Sequence, residues 1–190
     1  MSPDRVPDRA GERARDGEAP EESRIAFRGR YLEAVVERWS DREYEFVRRI
    51  GPAGAGAVGV LALTSSEDVL LVRQFREPVR REMLEIPAGL RDVEGETPEE
   101  CARRELVEET GYAAARIEPL GRGFFSSSGL TDERYLLYRA AVPEVPSADP
   151  EAGIDLVRMP FAQALREVED GGIEDAKTAL ALLLAARARG

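Results

Sequence analysis

An α+β fold with an N-terminal antiparallel β extension is expected for this chain, and three stretches of the sequence predict it. Residues 25–50 place Ile25, Phe27, Tyr31, Val35, Val36, Trp39, Tyr44, Phe46 and Val47 in a strand-like texture, broken by a Ser40-Asp41-Arg42 turn. Residues 57–63 and 69–75 read as two buried strands, the second ending in Arg73-Gln74-Phe75-Arg76, and a polar turn at 64–68 joins them. Thr97-Pro98-Glu99-Glu100 then opens a helix, with a threonine cap, proline at the first helical position and glutamate at the third.

The remaining elements follow in order. Residues 1–23 hold Pro3, Pro7 and Pro20 among mixed charges and almost no large apolar side chain, so they are expected to be a disordered tail. Residues 24–50 form the β extension and 51–190 the main domain. The small-residue stretch 51–56 is a turn without the spacing or lysine of a phosphate loop. Leu84-Glu85-Ile86-Pro87-Ala88-Gly89 reads as a strand. The helix from Thr97 buries Ala102 and Leu106 and closes at Gly111, a residue suited to the left-handed helix end. Further strands are expected at 116–120, 135–142 and 154–159. A helix over 160–170 stops at Gly171-Gly172, and a closing helix over 173–187 should pack Leu180, Leu183 and Leu184 on the sheet.

Composition narrows the chemistry. At 190 residues one domain is the natural size. A formal charge of −10 argues against general nucleic-acid or anionic-membrane binding. One cysteine, Cys101, leaves no partner for a disulfide within the chain, which fits a reducing cytoplasm. The sequence contains no histidine, which removes Ser-His-Asp and Cys-His nucleophiles and leaves carboxylates as the acid-base groups.

The helix carries the informative charges. Glu105, Glu108 and Glu109 share one face, where like charges cost about 0.2–0.5 kcal/mol per pair. They also fall in the last two turns, where the helix dipole disfavours anions. Two readings remain open from these residues: a solvated acidic face partly balanced by Arg103 and Arg104, or a cage for magnesium or manganese, which take oxygen ligands.

The order of residues from Gly89 to Tyr112 resembles the box of the Nudix hydrolases, G-x5-E-x7-R-E-U-x-E-E-x-G-U, with U a bulky apolar residue. From Glu96 through Arg104, Glu105, Leu106, Glu108, Glu109, Gly111 and Tyr112 every fixed position matches. Six residues rather than five separate Gly89 from Glu96, which we read as one extra residue in the loop before the helix. Outside the box, Gln74-Phe75-Arg76, Leu84-Glu85-Ile86-Pro87-Ala88-Gly89, Ser127-Ser128-Gly129-Leu130-Thr131-Asp132-Glu133 and the Gly172–Thr178 segment are similar to the ADP-ribose pyrophosphatase branch. Ser128 stands where that branch has proline.

The resemblance implies an α/β/α sandwich with a mixed sheet, and a magnesium- or manganese-dependent hydrolase that splits ADP-ribose or a related nucleoside diphosphate sugar. It implies metal ligands at Glu105, Glu108, Glu109 and the Ala88 carbonyl, with Arg104 orienting the glutamates. Substrate contacts are implied at Arg76 and Glu133, and a loop acid activates water, with Glu151 favoured over Asp149. It also implies a homodimer through the N-terminal sheet, whose Tyr44, Phe46 or Trp39 could stack on a base. Each of these aromatics could equally pack the sheet. The alternatives are another nucleotide substrate, such as a dinucleotide, GDP-sugar or triphosphate, or a nucleotide-sensing module without turnover.

Overall fold

The computed structural model describes residues 19–51 and 56–189. Residues 1–18 of the expected tail, and most of the 51–56 turn, lie outside the described residues. The first strand, β1 (Glu22–Arg28), begins inside the stretch assigned to the tail, because Glu22 pairs with Arg38 on β2 (Leu32–Trp39). β3 (Arg42–Arg49) completes an antiparallel three-stranded sheet in the order β1-β2-β3. Sequence texture suggested one break in this region and the structure has two. The Gly29-Arg30-Tyr31 turn was hidden, since it has an aromatic residue where a turn usually has polar ones.

The second sheet is the core: β4 (Ala57–Leu63), β5 (Asp68–Arg76), β6 (Arg81–Glu85), β7 (Ala88–Leu90), β8 (Arg116–Pro119), β9 (Phe124–Phe125), β10 (Arg134–Ala141) and β11 (Asp155–Pro160). Its main order is β11-β5-β4-β10-β8, with β4 and β10 parallel and the other pairs antiparallel. One helix, α1 (Pro98–Thr110), covers one face, while α2 (Phe161–Asp170) and α3 (Ala176–Arg187) cover the other. Strand β4 shows why the run at 57–63 is apolar throughout. Val58, Val60 and Ala62 point to Ala102 and Leu106 of α1, while Leu61 and Leu63 point to Ala181, Leu182 and Ala185 of α3. This is the expected α/β/α sandwich with a mixed sheet.

Two helix expectations shift. α3 starts at Ala176 rather than 173, because the Asp175 carboxylate accepts the Thr178 N–H at 3.0 Å and so caps the helix there. Its buried face is Thr178, Ala181, Leu182 and Ala185; of the expected leucines Leu180 packs on the core, partly buried, and Leu183 is exposed. Small alanines let the helix sit close to the sheet, where a face of three leucines would hold it off. α1 begins and ends as expected, with both halves of the capping box formed and Gly111 at φ 75°.

The loop after β10 docks on that helix end. Ser147 and Ala148 donate their N–H groups to the Gly111 carbonyl, and Glu151 N–H lies 2.7 Å from the Glu108 carbonyl. A Cβ on Gly111 would stand 2.1 Å from the Ala148 carbonyl oxygen, in a left-handed conformation that already disfavours alanine. Gly111→Ala is expected to cost about 2 kcal/mol or more, seen as a Tm lower by about 4–8 °C in thermal denaturation.

Candidate active site

The site arises because β4 and β5 separate. They pair only near their connecting turn, at Ala62↔Leu70 and Leu63↔Val69. Beyond it, β5 pairs with β6 and β4 with β7, so the chain breaks at Ile86-Pro87 to pass from one to the other. The expected single strand at 84–89 is therefore two, since Pro87 has no N–H for a continuous ladder. That step brings Ala88 and Gly89 under the C-terminal half of α1.

The three glutamates divide by environment. Glu109 is buried, and its oxygens accept the Ala88 N–H at 2.9 Å and the Gln74 amide at 3.2 Å. Burial outweighs these bonds and pushes its pKa up from 4.5 to about 7. Glu105 is mostly enclosed, and burial raises its pKa as well, against the pull of Arg104. Its carboxylate fills the space that a side chain on Gly89 would take: a Cβ there would lie 1.9 Å from the carboxyl carbon. Glu108 is half exposed.

Arg104 ties the box together. It bonds Glu96 at 2.8 and 3.1 Å, Glu105 at 2.6 Å and Glu108 at 2.9 Å, and these carboxylates raise its own pKa. The extra residue before Glu96 is absorbed where Gly95 adopts φ 80° with open space around it, so Glu96 still reaches Arg104. Cys101 is buried beside this cluster, its thiol pushed up to about 12 by burial and by Glu96. It is an inert core residue.

A hard divalent cation fits this corner by donor type and by charge. The donors are all oxygen, and two enclosed carboxylates have pKa values raised by burial that Arg104, Ala88 and Gln74 do not fully offset. Among the described residues, however, no three acidic side chains converge closely enough to hold a metal ion. Arg104 draws Glu105 and Glu108 to itself, and Glu109 is turned to Ala88 and Gln74.

Beside β7 lies a cavity of about 630 Å³, lined by Arg49, Arg76, Glu85, Ala88, Gly89, Glu133, Asp175 and Lys177 among others. It gathers Arg76, Ala88 and Glu133, three of the residues that the resemblance singled out. Arg76 is engaged by Glu85, at 2.6 and 2.7 Å, and Glu133 by Arg49. A second pocket, of about 410 Å³, is formed by Trp39, Tyr44 and Phe46 of the N-terminal sheet with Phe125 and residues 128–132. Glu151 and Asp149 are exposed on the loop that docks on α1, with the Glu151 backbone bonded to Glu108.

Arg49, Gln74, Glu85 and Lys177 escaped the sequence reading as site residues. Gln74 and Lys177 lie inside segments already singled out by resemblance, and Lys177 is the only lysine in the chain. Glu85 likewise lies in the 84–89 segment singled out by resemblance, and Arg49 carried no local signal.

The NUDIX domain family profile matches residues 55–182. An ADP-ribose pyrophosphatase of Bacillus subtilis is 35% identical over 160 residues, covering 82% of this chain and 85% of that protein. A GDP-mannose pyrophosphatase of Pectobacterium atrosepticum is 35% identical over 147 residues, covering 72% and 75%. A methanol dehydrogenase activator of Bacillus methanolicus is 36% identical over 131 residues, covering 67% and 70%. The crystal structure of an ADP compounds hydrolase shares the fold, with a TM-score of 0.73 at 22% identity over 89% of this chain and 92% of that one.

Proposed function

Because this chain belongs to the Nudix family, and is a pyrophosphohydrolase of a nucleotide or nucleotide-sugar diphosphate, we propose that its substrate is ADP-ribose or a close relative. Water would attack one phosphorus and the bridging oxygen would leave with the other, so that ADP-ribose and water give AMP and ribose 5-phosphate. One observation supports this most. A single cavity is lined by Ala88 and Gly89, against which Glu105 and Glu109 sit, and by the guanidinium groups of Arg49 and Arg76, which suit phosphate oxygens.

Glu105, Glu108, Glu109 and the Ala88 carbonyl would hold magnesium or manganese. When bound, such a cation offsets charge developing on phosphorus and lowers the pKa of a water. Arg104 holds Glu105 and Glu108 on the helix face and balances their charge. Arg76 would grip a phosphate, and Glu133 would orient the sugar side. Glu151, on a loop anchored to α1, would take the proton of the attacking water. Tyr44 and Phe46 would hold the base in the aromatic pocket.

A GDP-sugar is the second reading. It is supported by Ser128 in place of proline and by the similarity to GDP-mannose pyrophosphatases. Incubation with a nucleotide panel and magnesium, followed by product chromatography, tests both. AMP and ribose 5-phosphate should appear fastest from ADP-ribose, and much faster cleavage of GDP-mannose or a triphosphate would remove the substrate assignment.

We further propose that residues 24–50 serve as a dimerisation extension to the catalytic domain at 51–190. β1 is exposed along its whole length, with Phe27 at 59% and Ile25 at 46%, and nearby Tyr31 at 61%. Large apolar side chains exposed on an edge strand favour a second copy as their cover. Sedimentation equilibrium should show a dimer at micromolar concentration, and a monomer would refute the assignment. Among the described residues no helix is long and apolar enough to cross a membrane.

A further inference from the structure

Lys177 occupies a place that helix stability does not explain. It stands in the first turn of α3, where the dipole disfavours a cation, and it is only 9% exposed. Its ammonium contacts Glu85 Oε2 and lies 3.0 Å from Asp175 Oδ1. Glu85 is more deeply buried, at 3% exposure, and also accepts from Arg76 Nε and Nη2. One buried carboxylate therefore has two cations of unlike exposure. Both line the cavity, but Lys177 is almost wholly enclosed, whereas Arg76 is 41% exposed along its side chain.

This asymmetry has a consequence for binding. A buried carboxylate that loses its sole partner is strongly destabilised, so with one cation only, Glu85 would compete with any phosphate for Arg76. With Lys177 in place, Glu85 stays neutralised whichever way Arg76 turns. We propose that Lys177 is a positioning residue: it satisfies Glu85 from the interior and so releases the Arg76 guanidinium to a diphosphate in the cavity. The inference rests on the diphosphate reading of that cavity.

The surrounding bonds hold Lys177 to this task. Asp175 caps α3 by accepting the Thr178 N–H, and it also accepts a hydrogen bond from the Thr178 hydroxyl at 2.5 Å, while Thr178 Oγ1 accepts the Ile86 N–H at 2.8 Å. The turn bearing Lys177 is thus fastened to the residue next to Glu85. A compact ammonium with three donors can serve two carboxylates at one point, which a planar guanidinium does less well.

The test measures affinity of the full chain for α,β-methylene-ADP with magnesium by calorimetry, in the parent, Lys177→Met, Glu85→Gln/Lys177→Met, Arg76→Ala and Arg76→Ala/Lys177→Met. Lys177→Met should weaken binding about tenfold or more, with Glu85→Gln restoring it to within about threefold, since no buried charge then competes for Arg76. In the Arg76→Ala background Lys177→Met should add nothing, and in turnover assays its loss should fall on KM rather than kcat, neither of which a purely structural role would produce. Parent-like affinity in Lys177→Met, or an equal further loss without Arg76, overturns the proposal. Should Lys177→Met fail to fold, the Glu85→Gln/Lys177→Met pair decides: parent-like affinity supports the role and a tenfold loss overturns it. Parent-like affinity in Arg76→Ala would instead overturn the diphosphate reading of the cavity, and this proposal with it.

Discussion

Gly89→Ala is expected to abolish most turnover while leaving the protein folded. The new Cβ would lie 1.9 Å from the Glu105 carboxyl carbon, so that carboxylate must retreat by about 1.5 Å to reach ordinary contact. The obstructing atoms are the end of a flexible side chain, and Gly89 has no positive φ, so the stability cost should stay within about 1 kcal/mol. A misplacement of this size at a reacting centre is worth about 10²-fold in rate. Steady-state kinetics and a thermal melt on the same preparation check it. Near-parental kcat would mean that Glu105 does not need its place against β7.

Glu109→Gln should have the larger catalytic effect and an opposite effect on stability. Turnover should fall by about 10³-fold or more, because a neutral amide replaces a carboxylate where charge is needed. The stability change follows from its pKa, raised from 4.5 to about 7. The folded chain keeps the Glu109 proton up to about pH 7, whereas the unfolded chain releases it near 4.5, so the folded state binds more protons between those values. Its stability therefore falls as pH rises through that window, by about 3 kcal/mol in total. Glutamine removes that loss and gives up roughly one hydrogen bond, worth about 1 kcal/mol. The variant should thus be more stable than its parent at pH 8 and no more stable at pH 5, by denaturant titration with chelator present. Unchanged turnover would dispose of the carboxylate site, and parallel pH profiles would dispose of the raised pKa.

Parts of this site were legible before any coordinates. The capping box at Thr97, the closing Gly111 and the box glutamates are local signals, because a helix start, a helix stop and a shared face depend on residues within four positions of each other. The buried runs at 57–63 and 69–72 were legible for a similar reason, since a run buried on both faces must be apolar throughout, whereas the expected buried strand over 69–75 is exposed at Arg73 and Phe75. The Glu85–Lys177 pair was not legible. The partners are 92 residues apart, and each alone looks like an ordinary surface charge. The inward face of α3 was legible only in part, at Leu180 and not at Leu183, because an Ala-Leu-rich helix is apolar on several sides and only the neighbouring sheet selects one.

What the amino-acid order determined alone is the helix, its acidic face and the buried strands, all set by short-range preference and periodicity. The tertiary structure decided which acids are enclosed, that Glu105 lies against Gly89, and that Arg76 shares Glu85 with Lys177. Enclosure and charge pairing depend on what other segments bring to the same point, and the separation of β4 from β5 is what brings them there.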